Sequence, residues 1–111
     1  MELSVAIYRE SASIKDYGFR DQLTRSALSI PSNIAEGYER DSSGEILQFL
    51  KIAKGSAGEL RTQLLIGQQA GFLSNDKAES WGDEALQLGR MLGALQNHHR
   101  SKRDTQRNAS R

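Results

Sequence analysis

The residues of this chain whose types could carry chemistry are two histidines, two carboxylates beside apolar stretches, and a run of cations near the C-terminus. His98 and His99 are the only histidines, and neither has an acidic residue three positions before it. Metal sites in helical bundles use Glu-x-x-His pairs, and adjacent histidines point to different sides of a helix. The pair therefore predicts no metal site, and its place near the C-terminus also argues against a Ser–His–Asp arrangement.

Glu36 and Glu59 are the acidic residues most shielded by the sequence around them, because each adjoins an apolar stretch. Paired carboxylates can share general acid and general base work. The alternative, which we favour, is that each pairs with an arginine such as Arg25, Arg40 or Arg61 and fixes the register of its helix. No glycine-rich phosphate loop is present. The sequence therefore predicts no catalytic residue, no cofactor and no small-molecule substrate, and the chain is predicted not to be an enzyme.

The cations lie in residues 98–111, which carry a net charge of +4. They are Arg100, Lys102, Arg103, Arg107 and Arg111. Residues 1–97 hold ten basic and thirteen acidic side chains, a net charge of −3. Five cations could neutralise a few phosphates and bind RNA or DNA weakly, without sequence preference and with strong salt dependence. No aromatic side chain is present there to stack on bases, and the alternative is a solvated chain end.

A length of 111 residues predicts one domain, with a tail. Apolar periodicity stops after Leu95, and beyond it the chain is polar apart from Ala109. We therefore predict a helical domain over residues 1–97 and a basic, disordered tail or frayed helix end over residues 98–111. There is no cysteine, no run of about 18 apolar residues and no basic-then-apolar leader. No disulfide, membrane span or signal peptide is therefore predicted, and a cytoplasmic location is expected.

Four stretches have the apolar spacing of amphipathic helices, and no stretch predicts a strand. Residue types that cap or stop helices mark their ends: Gly18 before the second helix, Ser42 with Glu45 before the third, Gly37 and Gly71 after the second and third, and Ser74 before the fourth. The first helix is expected over residues 2–13. Short connections between four helices predict an all-α fold, an antiparallel up-down four-helix bundle with a kinked second helix.

Pro31, the only proline, lies inside the apolar pattern of the second helix. It removes one backbone N–H and crowds the carbonyl of Ala27, four residues earlier. The apolar stripe nevertheless continues in phase through Leu23, Ala27, Ile30 and Ile34. This continuity predicts a kinked helix whose bend turns Asn33 and Glu36 toward a neighbouring helix or subunit. Hydroxyls for the disturbed backbone are expected from Ser26, Ser29 and Ser32.

The third helix carries a sustained heptad stripe with further apolar residues beside it. The stripe is Ile46, Leu50, Ala53, Ala57, Leu60 and Leu64, and the added residues are Phe49, Ile52 and Leu65. A helix with so broad an apolar surface meets two neighbours, and a small bundle of this kind is expected to associate with copies of itself. Gly55 and Gly58 predict either close approach of another helix, which we favour, or a ligand against bare backbone. Close contact is also predicted along the fourth helix at Gly82, Gly89 and Gly93.

Several spaced blocks of the sequence resemble one family. Residues 25–37 (RSALSIPSNIAEG) are similar to the signature of the bacterial four-helix-bundle proteins known as 23S rRNA-intervening-sequence proteins. Residues 49–60, 63–66 and 71–73 resemble further family patterns in the same order, and the resemblance covers residues 3 to about 96. The positions that it marks as structural or interface residues are Arg25, Pro31, Ser32, Asn33, Glu36, Gly37, Gly55, Ser56 and Glu59.

The resemblance implies a bundle that assembles with copies of itself into a ring, pentameric in known cases. Related proteins act as basic accessory factors of reverse transcriptases in diversity-generating elements, where they bind the enzyme and nucleic acid. The mildly acidic body of this chain departs from that branch. The expected function is therefore a non-enzymatic homo-oligomeric assembly or adaptor module. The alternative is a nucleic-acid-binding accessory protein that uses the cations of residues 98–111.

Overall fold

The computed structural model describes residues 2–109, whose regular structure is entirely helical. Four α-helices follow one another: α1 over Glu2–Glu10, α2 over Tyr17–Tyr38, α3 over Ser43–Gln69 and α4 over Asn75–Ala109. A 3-10 turn, Ser11–Ser13, continues α1 toward the loop before α2. No strand occurs in the part of the chain that the structure describes, so the all-α prediction is confirmed. None of the helices in this part is long and apolar enough to cross a membrane.

The predicted starts of α3 and α4 are confirmed, because a serine caps each helix. The Ser42 hydroxyl accepts a hydrogen bond from the backbone N–H of Glu45 at 3.2 Å and lies 3.1 Å from the Glu45 carboxylate, to which it donates. Ser74 accepts from the backbone N–H of Lys77 at 3.2 Å. Both contacts satisfy N–H groups that the first turn of a helix leaves free.

The start of α2 differs slightly from the prediction. The helix begins at Tyr17, and its cap is the Asp16 carboxylate rather than Gly18. Asp16 accepts from the backbone N–H of Phe19 at 3.0 Å. An aspartate oxygen can satisfy a free N–H of the first turn, which a glycine has no side chain to do.

Two glycines near helix ends have different roles. Gly71 follows α3 with a φ of +82°, and the next N–H, that of Phe72, bonds to the Gly67 carbonyl at 2.8 Å, as expected for a left-handed helix stop. Gly37 instead lies inside α2, and among residues 2–109 the positive φ belongs to Gly71 alone, so the left-handed prediction for Gly37 is wrong. A Cβ at position 37 would lie 2.9 Å from the Cβ of Phe49. Gly37 is therefore needed for the close packing of α2 on α3.

α2 lies between α1 and α3. Ser4 of α1 donates to the backbone carbonyl of Ala27, and Ser29, two residues further along α2, hydrogen-bonds to Ser56 of α3. Ser4 also lines a recess with Pro31, and because Pro31 and Ser29 are two residues apart on the helix and project about 200° apart, α1 and α3 occupy opposite sides of α2. α3 also packs along α4, so the four helices pack against one another around a shared core.

The core is formed by the predicted apolar stripes. Its largest fully buried apolar side chains are Ile7, Leu23, Leu50, Leu60, Leu64 and Leu92. On α2, Ile30 is buried and Ile34 packs against the core from its edge, so the stripe continues across Pro31 as predicted. A salt bridge of 3.3 Å between Glu10 and Lys77 joins the end of α1 to the start of α4.

The molecule is elongated, with extents of 57 × 20 × 20 Å and a radius of gyration of 16.1 Å. A compact chain of this length has a radius of gyration of about 13 Å. The elongation follows from unequal helices, since the 35 residues of α4 span about 52 Å whereas the 9 residues of α1 span about 14 Å. α1 therefore covers only part of the surface between α2 and α4.

α4 continues without a break through the residues that the sequence assigns to a tail. Over residues 98–109 the structure shows a helix rather than disorder, while residues 110 and 111, and with them the predicted cation Arg111, lie outside the described residues. His99 is buried, and the half-buried Arg103 places its Cδ 3.8 Å from where a Cβ on Gly44 would lie. Packing at this end uses a histidine and the stem of an arginine, which apolar periodicity does not reveal.

Candidate functional site

The proline inside α2 creates a gap in the backbone hydrogen bonds of that helix, and another helix fills it. Pro31 has no N–H to donate to the carbonyl of Ala27. The Ser4 hydroxyl of α1 donates to this carbonyl at 2.7 Å, and both Ser4 and Ala27 are buried. The sequence predicts that serines of α2 itself compensate for the missing N–H, whereas in the structure the donor to the Ala27 carbonyl is a serine of α1. The Ser4–Ala27 bond therefore ties α1 to α2 at the point where α2 lacks a bond of its own.

Two of the signature blocks, residues 25–37 and 49–60, meet through three polar side chains, which we call the Ser29 cluster: Ser29, Asn33 and Ser56. The Ser29 and Ser56 hydroxyls are 2.8 Å apart, and the Asn33 amide donates to the Ser29 hydroxyl at 2.9 Å and to the Ser29 carbonyl at 2.8 Å. Ser56 is buried, and the other two are half-buried. Asn33 and Ser56 are among the predicted structural or interface residues, whereas Ser29 is not. The position of Ser29 one helical turn before Asn33 could have indicated a contact between the two side chains.

The other signature residues of α2 and α3 are mostly exposed and do not converge. Glu36 pairs with Arg40 one turn later, which is one of the predicted arginine partners. Glu59 accepts from the side-chain amide of Gln63 at 3.3 Å instead of pairing with an arginine. Exposed carboxylates that each bind a neighbour on their own helix do not form the shielded pair that acid–base catalysis uses. Also exposed are Arg25, Ser32 and Gly55.

The described residues offer no cluster with the composition of a metal centre. Among residues 2–109, no group of three or more histidine, cysteine, aspartate or glutamate side chains is placed to hold a metal ion. His98 and His99 lie beside each other with their rings 5.0 Å apart, but they meet edge to face. Nothing in their surroundings therefore adds the further ligands that a bound metal would need.

His99 takes part in a buried polar contact between α4 and the end of α2. Its Nε2 is 3.1 Å from the Tyr38 hydroxyl, and the two rings meet edge to face 5.7 Å apart. Only 7% of the His99 surface is exposed, so the expectation of a solvated chain end is wrong at this position. Burial, followed by the nearby charges of His98 and Lys102, lowers the pKa of His99 below its ordinary value of 6.5. The folded chain therefore favours the neutral form of His99 more strongly than the unfolded chain does.

The predicted cations form a basic face on the last turns of α4. Arg100, Arg103 and Arg107 are spaced three and four residues apart and so share one side of the helix, whereas Lys102 lies on another. Apart from the half-buried Arg103, these side chains are exposed. The structure thus places three cations in a row about two turns long, which the sequence alone treats as an unstructured run.

Four of the glycines inside α3 and α4 do not mark close contacts between helices of this chain, whereas a Cβ on Gly67 of α3 would lie only 2.5 Å from the Phe19 ring of α2. A Cβ at Gly55, Gly58, Gly82 or Gly89 would have no atom within 4 Å, so no other helix of this chain makes the predicted close approach at these four positions. Three of them border an open surface between α3 and α4, which we call the α3–α4 groove. One stretch of this groove has a volume of about 290 Å³ and is bordered by the cations Lys54, Arg61 and Arg90.

These features define a class of small all-α proteins. In this class a second helix closes the gap left by a proline, and the Ser29 cluster joins two blocks of the sequence. A family model for the 23S rRNA-intervening sequence protein matches residues 1–94, and the chain belongs to this family. A crystal structure of a protein with unknown function from the S23 ribosomal protein family, from Bacteroides thetaiotaomicron VPI-5482, has a similar fold. The TM-score is 0.81 at 22% identity, over 86% of this chain and 92% of that one. No curated protein matches the chain.

Replacing Ser4 by alanine leaves the buried Ala27 carbonyl without its donor, so the free energy of unfolding should fall by about 1–3 kcal/mol. In a Pro31→Ala background, residue 31 regains an N–H that can donate to the same carbonyl, so Ser4→Ala should cost less there. Urea unfolding of the parent, both single variants and the double variant measures the difference. Ser13→Ala, which removes an exposed local bond to Glu10, is the matched control. Equal costs in the two backgrounds would contradict the role of Ser4.

The His99 contact should make stability depend on pH. The unfolded chain protonates His99 near pH 6.5, whereas the folded chain does so only at lower pH. The unfolded state therefore holds more protons between these values, and the free energy of unfolding should fall as the pH drops through that window. Urea unfolding at about pH 7.5 and about pH 5.5 measures this loss. His99→Gln should reduce the loss, whereas His98→Gln, at the exposed neighbour, should retain it; the reverse order would refute the assignment.

Proposed function

We propose that this protein is a non-enzymatic homo-oligomer that serves as an assembly or adaptor module in the cytoplasm. The observation that carries the proposal is the surface area. The chain exposes 7146 Å², whereas a compact monomer of 12.3 kDa exposes about 6,100 Å². Association of copies would remove part of this excess from water. The large apolar side chains that are exposed are Val5, Tyr8, Tyr17, Leu28, Tyr38, Ile52, Leu65, Ile66, Phe72 and Met91.

The helices of each copy run alternately up and down in this proposal, with α2 bent at Pro31. The order of contacts between α2 and α3 supports it, because Ser29 meets Ser56 whereas the later Gly37 meets the earlier Phe49. Contacts between α3 and α4 follow the same descending order. The missing backbone bond at Pro31 supports the bend, since sharp kinks in helices occur at prolines.

The proposed assembly is a ring, pentameric by resemblance to the family. Its non-enzymatic character is supported by the separate, exposed positions of Glu36 and Glu59 and by the closed surroundings of His99. In this proposal the signature residues Arg25 and Ser32 form contacts between copies or with a partner, because both are exposed and so contribute little to the packing of the chain itself.

We expect the full chain, at micromolar concentration, to show a mass several times 12.3 kDa by size-exclusion chromatography with light scattering. The physical reason is that the exposed apolar side chains of separate copies bury one another. Circular dichroism on the same fractions reports whether the chain is folded. A folded chain with a mass near 12.3 kDa would refute the proposal.

The second candidate function is binding of RNA or DNA, as an accessory protein associated with a reverse transcriptase. The basic face of Arg100, Arg103 and Arg107 favours it, because cations in a row can follow a phosphate backbone. Lys102 adds a fourth cation on a neighbouring side of α4. Without aromatic side chains to stack on bases, such binding would not distinguish sequences.

For this second candidate, the parent should bind a fluorescently labelled single-stranded RNA at low salt, and the affinity should fall steeply as salt is added. Replacing Arg100 and Arg107 by glutamine removes two phosphate contacts and should reduce the slope of log affinity against log salt by about 1.4 on a single strand. The matched control replaces the exposed Arg9 and Lys15 by glutamine. Fluorescence anisotropy measures both slopes, and an unchanged slope in the first variant would exclude the basic face as the contact.

A further inference from the structure

One side of α4 carries a stripe of residues that extends past the core. Its positions follow one another at spacings of four and three residues, which keeps them on one side of the helix. They are Glu84, Leu88, Met91, Leu95, His98 and Lys102. Leu88 and Leu95 are half-buried and Met91 is 47% exposed, so the described helices leave apolar surface of this stripe open.

α1 lies along only the first part of this stripe. Glu10, at the end of α1, forms a salt bridge with Lys77 near the start of α4, whereas Leu3 borders a recess together with Met91. The start of α1 therefore lies beside the middle of α4. From Met91, α4 continues to Ala109, a distance of about 27 Å.

α2 forms the opposite wall of the surface that α1 leaves open. An apolar recess of about 250 Å³ lies there, and its lining residues from α2 and α4 are Ile30, Pro31, Ile34, Ala35, Leu88 and Met91. The hydrogen bond between Tyr38 and His99 shows that α2 and α4 still adjoin where α2 ends. We call the surface between these two helices from Leu88 to His99 the α2–α4 groove. It is about 16 Å long, which is three turns of a helix.

The α2–α4 groove continues the surface on which α1 lies. Leu3 and Ile7 of α1 are buried in the core that α2 and α4 share. Ser4 of α1 lines the same recess as Met91, so the part that α1 fills passes directly into the part that it leaves open. A surface that already holds one amphipathic helix has the width and the apolar character for a second one placed end to end with it.

The end of the groove next to α1 is acidic. Glu2 and Glu84 line a recess of about 730 Å³ there, and no cation stands among the described residues that line it. Both carboxylates are exposed, and among residues 2–109 neither of them is in an ion pair. Carboxylates without a cationic partner beside an apolar groove favour an occupant that carries basic side chains.

We propose that the α2–α4 groove binds an amphipathic helix of a partner protein, whose basic side chains meet Glu2 and Glu84. The inference rests on the adaptor role in the proposed function and names the class of partner. The helix runs in the same direction as α1, so the negative C-terminal end of its dipole meets the positive N-terminal end of α1. Its basic residues therefore belong to its last turn, and its apolar stripe packs on Ile34, Met91 and Leu95.

The probe is a fluorescently labelled, stapled helical peptide of about 15 residues, which spans about 22 Å. It carries leucine at every third or fourth position and lysines in its last turn, and a comparison peptide has glutamates in place of the lysines. The staple keeps both peptides helical, because free helices of this length are only marginally stable. In fluorescence anisotropy, the full chain should bind the lysine peptide more tightly than the glutamate peptide by roughly tenfold.

Met91→Lys places a cation in the apolar part of the groove and should weaken binding of the lysine peptide by roughly tenfold or more. Ile66→Lys is the matched control, because it makes the same kind of change at a similarly exposed position of α3, and it should bind like the parent. Circular dichroism reports the fold of each variant. Ala35→Lys, on the opposite wall, takes the place of Met91→Lys if the latter does not fold. Parental binding by the folded groove variant would overturn the inference.

Glu84→Lys and Asp83→Lys test the acidic end of the groove. The two positions are neighbours in the sequence, but Asp83 lines the α3–α4 groove instead. Glu84→Lys should therefore lose the preference for the lysine peptide, whereas Asp83→Lys should keep it. An unchanged preference in Glu84→Lys, or an equal loss in both variants, would overturn the proposed basic partner.

Light scattering of the same proteins separates this inference from the proposed homo-oligomer. The parent, Met91→Lys and Ile66→Lys should share one mass, because the groove receives a partner protein rather than a second copy. Loss of the parental mass in Met91→Lys alone would assign the groove to another copy and overturn the inference. A monomeric parent that still prefers the lysine peptide would overturn the homo-oligomer and support the groove as a partner site.

Discussion

The rest of the structure depends on how the chain compensates for the N–H that Pro31 lacks. A carbonyl left without a donor inside a core costs about 1–3 kcal/mol, and the Ser4 hydroxyl supplies the donor from another helix at 2.7 Å. The same bond determines where α1 lies along α2, and with it how Leu3 and Ile7 enter the core. Two residues further on, Ser29 attaches α3 to the other side of α2. Polar contacts on both sides of one proline-containing helix therefore position its two neighbours.

Interactions that act within one helical turn made most of the fold predictable from the sequence. Apolar spacing identified the four helices, and the cap at Ser42 and the stop at Gly71 follow from the local geometry of those residues. The contacts that the sequence did not reveal join positions far apart in the chain. The Ser4–Ala27 bond joins residues 23 positions apart, and the Tyr38–His99 bond joins residues 61 positions apart. The helical spacing from Leu92 does lead to His99, but a polar residue that continues an apolar stripe gives no sign of whether it is buried.

The candidate site was predictable only in part, for a similar reason. The signature positions Asn33 and Ser56 do belong together, but they are joined through Ser29, which the resemblance does not mark. A glycine inside a helix indicates that something approaches the backbone closely, and the sequence cannot say what. At Gly37 the approaching group is α3 of the same chain, whereas the space beside Gly58 is open. That difference depends on tertiary packing, which leaves no mark on the local residue pattern.

The shortness of α1 has a consequence for the way the molecule opens. A helix of 9 residues is not stable alone, and α1 is held mainly by its burial on α2, the Ser4 bond and a half-exposed salt bridge at Glu10. Detaching α1 therefore requires less free energy than unfolding the three longer helices, so its backbone amides exchange hydrogen with solvent faster than those of α3. Each such opening exposes the apolar side chains of α2 and α4 that lie beside Ser4, among them Ile30, Ile34 and Leu88, while the remaining helices stay folded. The first helix thus acts as a cover whose lifetime limits how long the apolar sides of α2 and α4 beneath it stay shielded from water.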